Sequence, residues 1–583
     1  MIDALQRLLD ALTGFLAENP LVGAWYTTVV RFVFPLLALM ILVGAIRSLW
    51  KVKHPDEVWG YLGMANGVRL PITHWENIIG RAPSCDVQLE YPSVSRQHAA
   101  LIREEDGSWT VYDLGSKGGV KVNDLPVDEY AVVEDGDTVS FGGIPTMLVP
   151  ISAEEKRRQM AERRAEGRPA GMWGSLVLLT LFQVLTALQL IIAAGDEATI
   201  TIPLTFLTFT LICWGYFIVM RSFRRIGFEM ETIAFFLCTL SLAVTGSTVP
   251  NECPKQLVAI LMGLAIFLVL GFFLRDLGRA QKVRWFMGAA AVGMLVITLL
   301  IGSSEGGAKA WIRLGGLSLQ PSELAKICYI FAGAATLDRL FNKRNLWMFI
   351  GLTGICGACL ALQNDFGTAL VFFVTFLVIA YLRSGDFATL GLICGGCFAG
   401  GMLLLTIKPH VAARFSSWGH IWEDVYGAGF QQTHTLTAAA SGGLIGVGAG
   451  EGWLSGLAAA DTDIVFGMLC EEWGLVIAVL TILCIITLAV FAVRACRAGR
   501  SSFYTIAACA ATSLLVFQTC LNVFGAVDIL PFTGVTLPFV SNGGSSMLSA
   551  WGMLAFLKAT DTRQNASFAV RLPSRRELRG EVR

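Results

Sequence analysis

Charged residues are scarce in this chain. Lysine, arginine, aspartate and glutamate make up 15% of its 583 residues, whereas hydrophobic residues make up 54%; a soluble protein usually carries about 25% charged residues. Basic and acidic residues balance at 44 each, so the composition indicates no polyanionic partner and we expect no nucleic-acid binding. A chain this long with so few charges predicts many segments that are buried or face lipid.

A metal or disulfide framework is also missing from the sequence. The 14 cysteines lie mostly in apolar runs, and the two C-x-x-C pairs, Cys356 with Cys359 and Cys394 with Cys397, have no second pair or histidine cluster nearby. Cysteine in an apolar run usually packs as a small hydrophobic residue. We favour this interpretation over disulfides, redox pairs or a metal site, and we expect no required cofactor.

The N-terminus lacks the basic segment of a signal peptide, because Asp3 and Asp10 stand in its place. Apolar residues recur there at helical spacing, which predicts an amphipathic interfacial helix over residues 1–20. The first predicted span covers residues 21–50. Basic residues cluster after this span, so the positive-inside rule predicts that the N-terminus lies outside.

Residues 55–150 differ in character from the rest of the chain. Short alternating apolar runs, such as residues 109–112 and 139–141, are separated by turn dipeptides such as 135–136. This spacing predicts a small all-β sandwich. Basic residues are concentrated in residues 151–170, which we interpret as a solvated cytoplasmic linker at the membrane surface.

Apolar runs dominate residues 172–560, which predict a polytopic α-helical membrane domain. The predicted spans lie near 172–194, 200–220, 231–248, 256–274, 285–303, 322–338, 346–362, 366–382, 387–407, 464–493, 503–526 and 540–558. With the first span they make about thirteen. Every basic cluster between spans then falls on the cytoplasmic side. The same count places the sandwich and the tail, residues 561–583, in the cytoplasm, and two polar segments, residues 304–321 and 408–463, outside.

Ionisable residues in the two outer segments indicate chemistry. Glu323 and Lys326 are three residues apart at the mouth of a span, where such a pair is costly and usually functional; a stabilising ion pair is the alternative. Asp463 stands at a membrane boundary, where apolar neighbours would favour its protonated form enough for it to accept a proton. Helix capping is the alternative for Asp463 and for Asp365. The glycines of residues 537–546 would let an anionic group approach the backbone amides.

Seven motifs occur in a recognisable order. They are Trp-Ile-x-Leu-Gly from Trp311, Gln-Pro-Ser-Glu-Leu-x-Lys from Gln320, Gln-x-Asp-x-Gly-Thr-Ala from Gln363, Ser-Gly-Gly-Leu-x-Gly from Ser441, Thr-Asp at 462–463, Glu-Glu-x-Gly from Glu471, and Leu-Pro-Phe-x-Ser-x-Gly-Gly-Ser-Ser from Leu537. Over about residues 230–560 the chain resembles the FtsW/RodA/SpoVE (SEDS) family of peptidoglycan glycosyltransferases.

This resemblance implies an enzyme of the bacterial plasma membrane that polymerises lipid II into glycan strands for division, elongation or sporulation. It implies a class B penicillin-binding protein as partner, besides the lipid II substrate and membrane lipids. The family's proposed catalytic carboxylate maps to Asp463, and its Pro-Ser-Glu motif places Glu323 and Lys326 in the site. The residues expected to contact substrate are Trp311, Arg313, Gln320, Asp365, Gln432, Ser441, Ser541, Gly543, Gly544 and Ser545. The sequence shows no dedicated metal cage, but it is compatible with a divalent cation (Mg²⁺ or Mn²⁺) between Asp463 and the lipid diphosphate.

The chain departs from the family pattern at several places. Ala458 and Ala459 stand where the family often has Pro-Glu, and Asp461 is the candidate substitute. Asn364 replaces a proline and Asn542 a tyrosine. Two alternative functions therefore stay open: a lipid II flippase, and a non-catalytic scaffold that recruits phosphorylated partners. The outer position of the motifs disfavours the flippase, because a transporter's site tends to lie near the midplane.

Residues 57–150 contain motifs that resemble the forkhead-associated (FHA) fold, among them Gly-Arg at 80–81 and Ser-Arg-x-His at 95–98. In that family the equivalents of Arg81, Ser95 and Arg96 hold a phosphothreonine, and a guanidinium with a hydroxyl donor suits a phosphate dianion.

Two neighbouring positions refine this prediction. Lys117 is a further candidate for phosphate contact, whereas Gly118 stands where the family has an asparagine that grips the peptide. We expect His98 to be structural. The resemblance implies a phosphothreonine-bearing protein as partner, and a purely structural adaptor is the alternative.

Overall fold

A computed structural model of the chain describes residues 2–51, 58–83, 85–103, 107–166, 171–305, 308–314, 317–336, 343–384, 387–407, 415, 418–496, 501–563 and 566–568. The end of the basic linker, nearly all of residues 408–417 and the tail beyond residue 568 lie outside the described residues.

Two helices form the N-terminus, α1 (Ile2–Glu18) and α2 (Pro20–Lys51). The 32 residues of α2 extend about 48 Å at 1.5 Å per residue. This length exceeds the roughly 30 Å hydrocarbon layer of a bilayer, so α2 is long enough to reach beyond both faces.

The β-sandwich follows α2. Its strands are β1 (Gly60–Met64), β2 (Arg69–Ile72), β3 (Glu76–Gly80), β4 (Val87–Gln88), β5 (Ala99–Arg103), β6 (Trp109–Asp113), β7 (Val120–Val122), β8 (Leu125–Pro126), β9 (Tyr130–Val133), β10 (Thr138–Phe141) and β11 (Ile144–Pro150). They form two sheets, in the orders β2-β1-β11-β10-β7-β8 and β4-β3-β5-β6-β9. Alternate residues face the core between the sheets, as Val139 and Phe141 show on β10. The predicted all-β sandwich is confirmed.

Helices account for most of the remaining chain. They are α3 (Ala153–Glu166), α4 (Trp173–Ala194), α5 (Thr201–Ser222), α6 (Glu229–Thr248), α7 (Cys253–Phe273), α8 (Leu277–Ile301), α9 (Pro321–Thr336), α10 (Lys343–Leu362), α11 (Phe366–Ser384), α12 (Phe387–Ile407), α13 (Phe430–Gly442), α14 (Val465–Met468), α15 (Gly474–Cys496), α16 (Ser502–Ala526) and α17 (Gly544–Ala559). In the part of the chain that the structure describes, nine helical segments are long and apolar enough to cross a membrane.

The predicted polytopic helical fold is therefore confirmed, while the count of about thirteen spans stays a prediction. Helices also cover the four other predicted spans, but α9 and α17 have only 16 residues each. All fourteen cysteines are free thiols in the structure.

A small antiparallel sheet lies between α8 and α9, formed by β12 (Ser303–Glu305), β13 (Ala308–Leu314) and β14 (Leu317–Leu319). Lys309 connects this sheet to the neighbouring helices. Its backbone N–H donates to Gln363 O at 2.8 Å, and its ammonium donates to Leu299 O at 2.6 Å. Strand β13 of the predicted polar segment 304–321 thus contacts the ends of α8 and α10 through Lys309.

The two ends of the helical bundle are distinct. At one end, which we call the loop end, Thr248 at the end of α6 lies 3.5 Å from Asp461 (Oγ1 to Oδ2). At the opposite end, Ser48 of α2 donates to the Glu229 carboxylate at 2.5 Å. The sandwich follows the Ser48 end of α2, so it is attached to the bundle at the end opposite to Asp461.

Buried charges at the opposite end are paired. The Arg563 guanidinium donates to Glu229 at 3.0 and 3.1 Å and to Asp561 at 2.8 and 2.9 Å. Lys558 forms an ion pair with Glu231 at 3.0 Å. Burial of an unpaired charge would be very costly, so these pairs fasten the chain after α17 to the start of α6.

Candidate functional site

Asp463 lies in a turn immediately before α14, and one carbonyl group organises this turn. The backbone nitrogens of Thr462, Asp463 and Ile464 lie 3.3, 3.0 and 3.4 Å from Ala459 O. Ala459 has a φ of 60°, which is uncommon for a residue with a side chain. The surrounding structure must therefore hold the turn in this conformation.

The Asp463 carboxylate faces the segment before α17. A methyl group built on Gly534 would lie 3.2 Å from Asp463 Oδ2, and Gly534 has a φ of 67°, so glycine suits both the backbone and the space beside the carboxylate. The N-cap residue of α14 is Ile464, whose side chain forms no capping hydrogen bond. The capping role of Asp463 therefore stays an alternative to the catalytic one.

Residues 537–546, which we call the serine-glycine segment, hold the Asp463 turn. Ser541 Oγ donates to Thr462 O at 2.7 Å. Asn542 donates its backbone N–H to Asp461 O at 2.8 Å and its side-chain amide to Asp461 Oδ2 at 2.7 Å. Asp461, the candidate substitute, and Asn542, which replaces a tyrosine of the family, are thus hydrogen-bonded to each other. We interpret Asp461 as a support of the turn.

The serine-glycine segment also reaches the start of α9. Ser545 Oγ accepts a hydrogen bond from Gln320 N at 2.8 Å. Pro321 follows as the first residue of α9, where the missing N–H of proline has no cost. One short segment therefore contacts both the Asp463 turn and the start of the helix that carries Glu323 and Lys326.

Glu323 and Lys326 form a buried ion pair within the first two turns of α9. Lys326 Nζ lies 2.5 Å from Glu323 Oε1, and the two side chains are only 1% and 6% exposed. The spacing of three residues places them on one helix face. The Glu323 carboxylate is also favoured by the positive end of the helix dipole. The predicted pair is thus present and almost completely shielded from solvent.

Asp365 joins this pair from the start of α11. Its carboxylate accepts hydrogen bonds from Thr368 N at 3.1 Å and from Gln320 Nε2 at 3.3 Å. Burial raises the pKa of Asp365. The hydrogen bonds from Thr368 and the Lys326 ammonium lower it, and the Glu323 carboxylate raises it further. Asp365 therefore caps α11, as the alternative proposed, and it also lies within electrostatic reach of Glu323 and Lys326.

The remaining predicted substrate contacts are distributed around the loop end. Trp311 is half-buried and Arg313 exposed on β13. Gly543 is the N-cap residue of α17 and Gly544 its first residue, so both belong to the segment that holds the Asp463 turn.

Gln432 and Ser441 belong to α13, which packs against a π-helical turn at Leu469–Trp473. Gln432 is buried, and the exposed Ser441 donates to Ala438 O at 2.7 Å. A methyl group on Gly442 would lie 2.1 Å from Cys470 O, so glycine is needed for this close approach. Gln432 and Ser441 thus lie on the helix that packs against the π-helical turn, whereas Gln320, Asp365, Ser541 and Ser545 form the cluster around the ion pair and the Asp463 turn.

The π-helical turn carries two glutamates that hold the loop before it. Glu471 accepts hydrogen bonds from the backbone N–H groups of Trp453 and Leu454 at 3.1 and 3.0 Å. Glu472 accepts from Gly450 N at 3.1 Å and from the Ser247 hydroxyl. Single π-helical turns inside helices frequently occur at functional sites. Here the two carboxylates position the loop that leads to Asp463.

Asn522 is a site residue that the sequence did not reveal. Its side chain is 2% exposed inside α16, and its Nδ2 lies 2.9 Å from Asp463 O. No motif includes it, and Gln518 and Thr519 precede it in the same helix, so nothing in the sequence singles it out. Its one sequence signal is an amide within a mostly apolar helix, since a buried amide is costly unless it is hydrogen-bonded.

The four predicted phosphopeptide-binding residues are adjacent on the sandwich. Arg81 N donates to Ser95 O, and the next residue, Ala82, donates to Arg96 O, both at 3.0 Å. Lys117 N donates to Ser95 Oγ at 3.1 Å. Arg81, Arg96 and Lys117 are exposed, so three exposed cationic residues lie next to Ser95 in the fold.

The expectation that His98 is structural agrees with its position. It is completely buried, its Nδ1 accepts from Ser95 N at 3.0 Å, and its Nε2 lies 3.1 Å from Gly119 O. The presence of glycine at position 118 has a steric explanation. A Cβ atom there would lie 2.7 Å from Gly142 Cα and 3.0 Å from Ser93 O. The family's asparagine therefore does not fit at position 118 without a backbone shift.

Comparison with known proteins agrees with both resemblances. The model of the FtsW/RodA/SpoVE cell cycle protein family matches residues 232–566, and the FHA domain model matches residues 77–142. The peptidoglycan glycosyltransferase RodA of Mycobacterium tuberculosis (strain ATCC 25618 / H37Rv) is 31% identical over 322 residues, which are 52% of this chain and 69% of RodA.

Two further proteins show the same similarity. The probable peptidoglycan glycosyltransferase FtsW of Escherichia coli O6:H1 is 31% identical over 345 residues, which are 56% of this chain and 82% of FtsW. The crystal structure of Thermus thermophilus rod shape determining protein RodA is 26% identical, covers 57% of this chain and 94% of that chain, and superposes with a TM-score of 0.43.

The family match spans more than half of the 583 residues and includes every motif around Asp463, Glu323 and Lys326. The apolar helices of the same region are those of a membrane protein. This chain is therefore a membrane protein of the FtsW/RodA/SpoVE family that also carries an FHA domain.

Proposed function

We propose that the chain is a peptidoglycan glycosyltransferase that polymerises lipid II into glycan strands. The observation that carries this proposal is the serine-glycine segment, which contacts both the Asp463 turn and the start of α9. A half-buried carboxylate and a buried ammonium thus belong to one assembly at the end of an apolar bundle. A substrate with a sugar, a diphosphate and a lipid tail needs these features together.

Asp463 is the base in the proposed reaction. The 4-hydroxyl oxygen of one sugar attacks the anomeric carbon of another, and the bond from that carbon to the lipid diphosphate breaks. The electron pair leaves with the diphosphate, and the hydroxyl proton passes to the Asp463 carboxylate. Gly534 keeps the space beside Oδ2 open for the approaching hydroxyl.

Cationic groups stabilise the departing diphosphate. Lys326 and Arg313 are the proposed donors, because developing negative charge is stabilised best by positive groups already in place. A divalent cation (Mg²⁺ or Mn²⁺) that accompanies the diphosphate stays a prediction. In the described residues no group of three or more His, Cys, Asp or Glu is placed to hold a metal ion. We therefore propose that the substrate would supply most of the ligands of this cation.

The proposed orientation places the loop end on the outer face of the plasma membrane. The sandwich is attached at the opposite end and would then lie in the cytoplasm with the C-terminus, as the positive-inside rule predicts. A class B penicillin-binding protein is the proposed partner, acting on the glycan product in division, elongation or sporulation.

The polymerase proposal is tested by incubating the purified full chain and its penicillin-binding partner with labelled lipid II. A ladder of glycan strands is the expected product. The flippase alternative predicts translocation of labelled lipid II across liposomes without any strand, and this outcome would replace the proposal.

We also propose that the FHA domain binds a phosphothreonine-bearing protein. Three exposed cationic residues next to Ser95 suit a phosphate dianion. Peptide recognition must differ from the family pattern, because Gly118 cannot be replaced by asparagine without a backbone shift. The charge cluster would then bind the phosphate, while other surfaces select the peptide.

An Arg81→Ala variant of the full chain is expected to bind phosphothreonine peptides about tenfold to a hundredfold more weakly. The loss of a charge-assisted hydrogen bond of about 1.5–3 kcal/mol explains this range. Fluorescence anisotropy with a phosphothreonine peptide library measures it. Lys121→Ala, an exposed cation on β7, is the control and should bind normally. Equal binding of phosphorylated and unphosphorylated peptides by the wild type would favour the adaptor alternative.

A further inference from the structure

Asn522 makes its contacts with a single donor group. Its Nδ2 lies 2.9 Å from Asp463 O and 2.9 Å from Val535 O. Both partners are carbonyl oxygens, which only accept hydrogen bonds, so the amide nitrogen must face them. The two hydrogens of one amide therefore connect the Asp463 turn to the segment before α17.

These two carbonyl groups belong to the backbones on either side of the Asp463 carboxylate. Asp463 O is on the residue that carries the carboxylate, and Val535 follows Gly534, which borders Oδ2. Asn522 thus sets the separation between the carboxylate and the opposing backbone. Ser541 and Asn542 bond to the neighbouring residues Thr462 and Asp461, whereas Asn522 donates to Asp463 itself.

The side chain is retained at an energetic cost. Asn522 Oδ1 is buried and has no hydrogen-bond partner in the described part of the chain. A buried unpaired acceptor costs about 1–3 kcal/mol. An apolar side chain of similar size would remove this cost but would leave Asp463 O and Val535 O without the amide donor, so the site uses the donor group of this side chain and not its acceptor.

We propose that Asn522 is a positioning residue for the general base Asp463. This inference rests on the proposed function, because it assumes that Asp463 removes a proton from the attacking sugar. Asn522 acts through the backbone, so it does not contribute to substrate binding. A displacement of the base by about 1 Å costs about a hundredfold in rate.

The test uses Asn522→Ala and Asn522→Asp in the full chain with its penicillin-binding partner, assayed with labelled lipid II. Asn522→Asp keeps the size of the side chain but directs oxygen atoms at two carbonyl oxygens. We expect kcat to fall about tenfold to a hundredfold in both variants, while KM for lipid II changes less than about twofold. We also expect the acidic limb of the pH–rate profile to move, because that limb reports the base.

Thr519→Val is the matched control. Thr519 lies nearly one turn earlier on α16, is 4% exposed, and donates to Leu515 O of the same helix. It should retain the wild-type kcat, KM and pH profile. Thermal unfolding of all variants separates misfolding from misplacement of the base.

The possible failures are distinguishable. A wild-type chain that forms no glycan strand contradicts the proposed function. An active wild type with unchanged kcat in both Asn522 variants contradicts the positioning role alone. A loss of kcat that appears equally in Thr519→Val, together with lower unfolding temperatures, would assign Asn522 to helix stability and overturn the inference.

Discussion

Asp463→Asn is expected to reduce glycan-strand synthesis by about two to four orders of magnitude, the usual contribution of a general base. The substitution keeps the size of the side chain, so the gap beside Gly534 stays the same. The amide cannot accept the proton of the sugar hydroxyl, which must then pass to water or remain on the attacking oxygen. The measurement is the initial rate of strand formation from labelled lipid II.

Asp461→Asn is the control, because it makes the same chemical change two residues away. Asp461 accepts a hydrogen bond from the Asn542 side chain at 2.7 Å, and the carbonyl oxygen of an asparagine can accept the same bond. The turn should therefore keep its shape and the rate should stay close to wild type. A wild-type rate in Asp463→Asn would contradict the catalytic assignment. An equal loss of rate in both variants would indicate that synthesis requires negative charge in this turn and not a base at Asp463.

The coarse architecture could be predicted from the sequence because its signals are local. Helices that cross a membrane need about 20 apolar residues, and sandwich strands need alternation with a period of two. Both patterns are read within one segment. The short helices α9 and α17 show the limit of this approach, since each begins at Pro321 or Gly544 inside a motif whose polar residues interrupt the apolar run.

The contacts of the site were less predictable because they join residues far apart in the chain. Asn522 bonds to Asp463, and Gln320 bonds to Ser545, across 59 and 225 positions. No periodicity reports such pairs. The hydrogen bond between Asp461 and Asn542 was equally unpredictable from the sequence. The sequence shows the two residues only in separate motifs, and the fold shows that they contact each other.

Segments outside the family match also contact the loop end. Gln189 of α4 donates to Ala449 O at 3.3 Å, and a methyl group on Gly448 would lie 2.8 Å from Thr27 of α2. Residues 447–454 are thus held between these helices and the carboxylates of Glu471 and Glu472. Since α2 continues toward the FHA domain, the extra N-terminal helices physically connect that domain to the loop that leads to Asp463.

Lys326→Met is expected to destabilise the chain by about 3–5 kcal/mol and to abolish strand synthesis. Removing one partner of a buried ion pair leaves the other charge without compensation, and here Asp365 lies close to the same ammonium. Denaturant or thermal unfolding measures the first effect and the lipid II assay the second. Lys255→Met is the control: Lys255 and Glu252 have the same spacing and a distance of 2.7 Å, but their side chains are 59% and 42% exposed, so its loss should cost at most about 1 kcal/mol.

The double variant Glu323→Gln/Lys326→Met distinguishes the two roles that the pair can have. It removes both charges together, so no buried charge is left without its partner at these two positions and most of the lost stability should return. If Lys326 stabilises the departing diphosphate, strand synthesis stays at the level of Lys326→Met, because the cation is still missing. Recovery of both stability and synthesis would show that the pair only stabilises the fold. Asp463 with another cation, such as Arg313, would then have to account for catalysis.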